Sequence, residues 1–319
     1  MQLVNMWDQI MVQILAQCMT MITMPIFWVI ALLLAVQVGL IEMKKQKQVV
    51  GKLPAFLFAI IERWVCIIIS GILGGVIASS LFLLTGISLA YDTVLYLWMI
   101  MLFFFMIKRR FFCFAYAGGA LVLVQTIANG CGITLFHFDS ETILALVAIL
   151  HFTEAILVQI SGTLLQLPVY FRNEKGILTA KSQLQMCWPI PLVIPMPMLQ
   201  DGMQNCIREQ SVGYYVMPDW WPLFGTVQSA EVTALYYLMP LLAMIGYSDL
   251  AEPGMEKTQT NKSALLLILY SMLLVVLVWA SSRIHSVLVV AALFSILGHE
   301  AILRFGQVDM RKYVHTKKE

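Results

Sequence analysis

Long apolar segments dominate this chain, and they constrain its fold more than any other feature. A helix needs about 20 mainly apolar residues to cross the hydrocarbon core of a bilayer. Segments near that length predict eight membrane-spanning helices. These helices cover residues 22–41, 64–84, 93–107, 111–133, 142–165, 222–246, 264–280 and 284–303.

The composition supports the same interpretation. Of the 319 residues, 60% are apolar and 12% are charged, and the mean hydropathy is +0.84. Soluble domains are typically about 45–50% apolar and about 25% charged, so this chain could not cover a water-exposed surface with polar groups. We therefore expect an all-α fold, a polytopic transmembrane helix bundle of about eight or nine spans. Lys and Arg (20) nearly balance Asp and Glu (18), which gives no indication of a nucleic-acid partner.

A ninth apolar segment, residues 186–199, is unusual because it carries four prolines, Pro189, Pro191, Pro195 and Pro197. Proline lacks a backbone N–H and disrupts helical hydrogen bonds, and carbonyls left free in lipid are costly. The segment must therefore be sheltered by protein, line a wet cavity or lie at the interface. One interpretation is a structural re-entrant turn, with 186–246 leaving and returning together. The other is a broken helix of the kind that builds a transport site.

The chain divides into three parts by composition. Residues 1–20 alternate polar and apolar side chains, which predicts an interfacial amphipathic segment. Residues 21–303 form the polytopic membrane domain, and residues 304–319 form a basic tail. No cleavable signal peptide is evident, so we expect the first span to be retained.

The basic residues predict the orientation. Lys and Arg cluster at 44–52, 108–110, 172–181, 257–262 and 304–318, and each cluster is separated from the next by two crossings. Cytoplasmic loops carry an excess of Lys and Arg. With the N-terminus outside and the C-terminus cytoplasmic, only Arg208 and Arg283 fall outside.

Two carboxylates lie at membrane depth in the predicted spans, and one of them has a histidine beside it. His151 and Glu154 are three residues apart on one helix face, and Glu231 lies in a later span. Charges inside a membrane are costly and often mark a pathway or a partner. The pair could relay protons or contribute to a metal site, or it could form a structural hydrogen bond between helices.

Glycines predict close packing. Gly71 and Gly75 form a small-residue pattern that allows close approach of helices, either within the chain or in a homo-oligomer. The Gly118–Gly119 pair and Gly130 suggest a second tight contact.

Enzyme motifs are incomplete. His299-Glu300 begins like a zinc-protease motif, but Leu303 occupies the position of the second histidine. The nucleophile-elbow pattern at 246–250 ends in leucine instead of glycine. The six cysteines show no paired spacing that indicates a metal site. We therefore expect no catalytic residues, no cofactor and no metal.

Several short segments resemble the membrane domain of the MinJ-type proteins, the PDZ-bearing cell-division topology determinants of Gram-positive bacteria. They are 43–47 (MKKQK), 173–176 (NEKG), 188–191 (WPIP), 218–222 (PDWWP), 237–240 (YLMP), 246–251 (GYSDLA) and 298–303 (GHEAIL). In that family the last span leads into a cytoplasmic PDZ domain, whereas only residues 304–319 follow here. We expect either a shortened relative or a truncated chain.

The resemblance implies a non-enzymatic scaffold in the cell membrane, enriched at the division septum or poles. Such proteins bridge a DivIVA-like coiled-coil protein to a MinD-like ATPase. The alternative hypothesis is a secondary transporter or ion-conducting protein that uses segment 186–199 with His151 and Glu154.

Overall fold

A computed structural model describes residues 2–46, 53–133, 135, 138–172, 178–197, 221 and 236–314. Most of these residues are helical. The eight α-helices of the described part are α1 (Gln2–Thr23), α2 (Pro25–Gln46), α3 (Leu53–Thr85), α4 (Tyr91–Ile107), α5 (Phe114–Gly130), α6 (Ser140–Ser161), α7 (Glu256–Ser281) and α8 (Val287–Val314).

Five helices are long and apolar enough to cross a bilayer, which makes this chain a membrane protein. They lie in α2, α3, α6, α7 and α8, and their spans are Pro25–Met43, Leu57–Thr85, Ser140–Ser161, Glu256–Ser281 and Val287–Arg304. Large apolar side chains such as Phe58 and Met106 remain exposed on the outer faces of the helices. A lipid environment accounts for such faces, since water would make them costly.

The interior contains a sheet, so the all-α prediction is wrong in this respect. Strands β1 (Gln166–Arg172), β2 (Leu178–Pro197) and β3 (Tyr236–Ala251) form an antiparallel sheet in the order β1-β2-β3. The broken-helix interpretation of 186–199 and the predicted span at 222–246 are therefore corrected where the structure describes them. The first lies in β2, and the end of the second lies in β3. The two segments run antiparallel, with Val193 opposite Pro240.

The prolines explain why β2 is a strand. The residue before a proline is pushed into extended conformations, and prolines at 189, 191, 195 and 197 impose this on most of the segment. In an antiparallel ladder every second residue points its N–H and C=O away from the partner strand. Val193 is such a residue, because its N–H bonds to the Ser79 hydroxyl on α3 instead of β3.

Each of the four prolines lies two or four residues from Val193, so its backbone faces the same edge of the strand. An N–H at these positions would have pointed away from β3. Pro240, opposite Val193, obeys the same rule on the other strand. Proline is tolerated in a sheet where no ladder hydrogen bond is lost. The prolines thus remove donors that would otherwise need partners inside an apolar core.

The carbonyls on this edge of β2 find partners outside the sheet. The Leu89 N–H donates to the Pro195 carbonyl at 3.2 Å, and the Cys18 thiol donates to the Pro191 carbonyl at 3.4 Å. Buried backbone groups in native proteins are nearly always paired in this way. Of the three environments expected for the proline segment, the structure shows shelter by protein, because residues 188–196 are buried.

Gly71 and Gly75 bring α3 against this strand. A Cβ added at Gly71 would collide with the Pro189 carbonyl oxygen, and one at Gly75 would collide with that of Pro191. The pattern was predicted to serve helix–helix approach, but the partner is the β2 backbone. The close packing is intramolecular, and dimerisation through these glycines stays a prediction.

Helix α1 occupies the predicted interfacial segment. Its buried side chains Ile14 and Cys18 are four residues apart and pack with Leu83 of α3 and Val193 of β2. One face of α1 therefore rests on the protein core, while an interfacial position of residues 1–20 stays a prediction. The count of eight or nine spans and the orientation of the termini also stay predictions.

Replacing Gly75 with alanine should destabilise the fold, since the new methyl group would force α3 away from β2. Overpacking of this kind typically costs about 1–3 kcal/mol. The control is Gly39→Ala in the middle of α2, where an added Cβ meets only Ile60 at 3.9 Å. We expect the control to be neutral or slightly stabilising, because alanine favours helix by about 1 kcal/mol. Thermal unfolding of the detergent-purified protein measures both, and equal midpoints would contradict the predicted packing.

Candidate functional site

Three polar side chains from three different helical elements meet in the interior of the bundle. Cys113 precedes α5, His151 lies in the middle of α6, and His299 lies on α8. The Cys113 Sγ is 3.4 Å from Nε2 of His151 and 3.5 Å from Nε2 of His299. Both histidines are buried. We refer to these three residues as the Cys–His cluster.

Two adjacent glycines allow the three elements to converge. A Cβ added at Gly118 would lie 2.9 Å from Val147 of α6, and one at Gly119 would lie 2.9 Å from the Ala292 carbonyl of α8. Helix α5 is therefore wedged between α6 and α8, as close as its backbone permits. The predicted tight contact at Gly118 and Gly119 is confirmed, whereas no atom of the described residues lies within 4 Å of a Cβ added at Gly130.

Hydrogen bonds fix the state of His151. Its Nδ1 lies 2.8 Å from the Val147 carbonyl oxygen. A carbonyl can only accept, so Nδ1 carries the proton and Nε2 presents a lone pair to Cys113. His299 differs, because its buried Nδ1 has no hydrogen-bond partner in the described part of the chain.

Aromatic rings enclose the cluster. The Tyr270 ring lies 5.2 Å from the His151 ring, and the Tyr116 ring lies 5.1 Å from the His299 ring. The Tyr270 hydroxyl donates to the Ser295 carbonyl at 2.9 Å. These rings hold the imidazoles in place and exclude solvent from them.

A charged group covers the cluster at one end of the bundle. Glu300, next to His299, accepts hydrogen bonds from the Tyr116 hydroxyl at 2.7 Å and from Arg110 at 2.5 Å. Arg304 adds a third contact at 3.0 Å. Arg110 and Arg304 are exposed, while the Glu300 side chain is only 14% exposed. The buried His299 and the exposed Arg304, which contacts Glu300, are therefore little more than one helical turn apart on α8.

The sequence singled out three residues, His151, Glu154 and Glu231, and the structure does not join the two that it describes. His151 is part of the cluster, but both of its nitrogens contact other groups, so it is not hydrogen-bonded to Glu154. Glu154 is half-buried on α6. Glu231 lies outside the described residues. The transporter hypothesis stays a prediction, but the broken helix that motivated it is a strand.

Sequence reasoning missed Cys113 and His299 as partners of His151. The three positions are separated by 38 and 148 residues, so no local spacing could group them. His299 was noticed only within an incomplete zinc-protease motif. The sequence shows one cysteine and two histidines in three apolar segments. It does not show which of these segments are neighbours in the fold.

A second polar cluster lies near the C-terminal end of β3, around Asp249. The buried Asp249 carboxylate accepts hydrogen bonds from Ser263 at 2.6 Å, Gln259 at 3.0 Å and Tyr247 at 3.3 Å. Its other oxygen accepts from the Leu250 N–H at 2.7 Å. Asp249 thereby joins β3 to α7 and fixes the segment 246–251.

Comparisons with protein-family models, with curated proteins and with solved structures find no match to this chain. The resemblance to the MinJ-type membrane domain therefore depends on the residues quoted above.

Removing the Asp249 carboxylate should destabilise the protein substantially. The variant Asp249→Ala leaves several buried donors without an acceptor, and such losses cost about 1–3 kcal/mol or more. The control Asp92→Ala removes an exposed carboxylate from the first turn of α4, which should cost less than about 1 kcal/mol. Chemical unfolding of the purified protein compares them. A similar loss in both variants would refute a structural role for the Asp249 network.

Proposed function

We propose that this chain is a non-enzymatic scaffold of the cell membrane that acts in division-site placement, as the MinJ-type resemblance implies. Its partners on this proposal are the lipid bilayer, a DivIVA-like coiled-coil protein and a MinD-like ATPase. Enrichment at the division septum or poles is part of the same proposal.

One observation carries the proposal, namely that three segments of the resemblance lie in two paired strands, 188–191 in β2 and 237–240 and 246–251 in β3. Trp188 of the segment 188–191 lies opposite Ile245 in the ladder, and Cys187 lies opposite Gly246 of the segment 246–251. Tyr237 of the segment 237–240 lies opposite Met196. These segments are distant in sequence but belong to one sheet, so the resemblance includes parts of the core of the domain.

The interior of the fold suits a scaffold. The cavity enclosed by α4, α5, α6 and β2 is about 10 Å³ and is lined by apolar side chains such as Leu97 and Leu150. Such a space holds one water at most. A separate and more open cavity of about 330 Å³, at the ends of α5, α6 and α7, is lined by polar side chains such as Gln125 and Asp139. A tightly packed membrane domain of this kind would place cytoplasmic segments at the membrane surface for partners to bind.

The proposed orientation has the N-terminus outside and the C-terminus cytoplasmic. The charge asymmetry supports it, because clusters such as 108–110 and 257–262 would contact the anionic inner leaflet at about 1 kcal/mol per basic residue. In a cysteine-free background, cysteines placed at Lys45 and Asp139 should label oppositely. An impermeant maleimide should modify the Asp139 position in intact cells and the Lys45 position only after lysis. Equal labelling at both positions would refute the orientation.

A fluorescent fusion tests the scaffold proposal. We expect the signal of the full chain to concentrate at septa and poles, and to become uniform when the DivIVA-like protein is removed. A fusion of an unrelated multi-span protein, expressed at the same level, controls for the extra membrane present at a septum. Uniform membrane fluorescence of a stable fusion would overturn the proposal.

A further inference from the structure

We propose that Cys113, His151 and His299 bind a single thiophilic metal ion, Zn²⁺ or Cu⁺. This inference is independent of the scaffold proposal and departs from the sequence expectation of no metal. The three potential ligand atoms all lie within 4.8 Å of one another. They come from three separate elements, so an ion at this point would join α5, α6 and α8.

The distances fit a metal polyhedron. Zinc binds thiolate sulfur at about 2.3 Å and imidazole nitrogen at about 2.0–2.1 Å, so sulfur and nitrogen ligands in a tetrahedron lie about 3.6 Å apart. The two sulfur–nitrogen distances in the cluster are 3.4 and 3.5 Å. An ion can therefore contact Cys113 and either histidine with only small shifts of the side chains. Binding both histidines requires their two ligand nitrogens, which lie within 4.8 Å of one another, to come to about 3.3 Å.

Hydrogen bonding alone does not satisfy this cluster. The Cys113 thiol has one proton and faces two imidazole nitrogens, and His299 Nδ1 remains buried without a partner among the described residues. A buried polar atom without a partner costs about 1–3 kcal/mol. Metal coordination to sulfur and both Nε2 atoms would give each imidazole a bond without dividing the single thiol proton between them, and would leave the surroundings of His299 Nδ1 unchanged.

Two local features prepare the ligands. The bond from His151 Nδ1 to the Val147 carbonyl leaves Nε2 free to coordinate, which is the usual arrangement of a metal-bound histidine. Cys113 is the N-cap of α5, and its sulfur accepts the Ala115 N–H at 3.5 Å. This contact holds the sulfur in place, and an incoming metal ion would displace the thiol proton.

Ligand type and charge select the ion. One thiolate and two imidazoles favour Zn²⁺ or Cu⁺, whereas Mg²⁺ and Ca²⁺ prefer oxygen ligands. With Cu⁺ the site would be electrically neutral. With Zn²⁺ it would carry one positive charge.

An ion could enter from the end of the bundle where Glu300 lies. Glu300 contacts exposed Arg110 and Arg304, and it is adjacent in sequence to His299. Tyr116 contacts both the Glu300 carboxylate and the His299 ring. Movement of these surface side chains would open a short path to the cluster.

Metal titration of the detergent-purified full chain tests this inference. We expect about one Zn²⁺ or one Cu⁺ per chain, and Co²⁺ used as a probe should give thiolate charge-transfer and tetrahedral ligand-field absorption. Cys113→Ser and His299→Gln should weaken binding more than about 100-fold, since each removes a direct ligand. The matched controls Cys131→Ser and His285→Gln change exposed residues outside the cluster and should bind as the wild type does.

Circular dichroism and thermal unfolding of each variant separate loss of binding from loss of fold. Competition between Zn²⁺ and Cu⁺ with chelators of known affinity identifies the preferred ion, and preference for either supports the site. Failure of folded wild-type protein to bind either ion would overturn the inference. So would binding that survives in folded Cys113→Ser. Neither result depends on where the protein localises in the cell.

Discussion

The need to satisfy backbone polar groups inside an apolar interior governs this structure. Residues 188–196 of strand β2 are buried in the core. Along 185–197 one edge of β2 pairs with β3, and the other edge has no partner strand among the described residues. On the other edge the prolines supply no N–H, and Ser79 accepts the N–H of Val193. Because α3 has glycines at positions 71 and 75, this helix packs directly against the edge of β2 that has no partner strand.

Glycines likewise set the position of the Cys–His cluster. Gly118 and Gly119 let α5 approach α6 and α8, and this approach places Cys113 beside His151 and His299. The geometry of the cluster thus depends on packing several residues away from it. This dependence explains why a chemically distinctive site can arise without any local motif.

The positions of most apolar helices could be predicted, because the length and hydropathy of a segment determine whether it can span a bilayer. Hydropathy does not determine conformation. For that reason 222–246 was predicted as a span and the conformation of 186–199 stayed open, although the described parts of both lie in strands. The effect of each proline on the residue before it favoured extended structure, but a strand also needs a partner. The partner, β3, lies some forty residues later in the chain.

The sequence by itself determined that this is a membrane protein, since no soluble fold could cover so much apolar surface. It also determined where α3 and α5 could pack closely, because only glycine leaves room for a neighbouring backbone. Tertiary structure alone decided that the first of these glycine pairs meets a strand and the second meets two helices. It also decided that Cys113 and His299, instead of Glu154, contact His151, because the order of helices around the core is set by packing between distant segments.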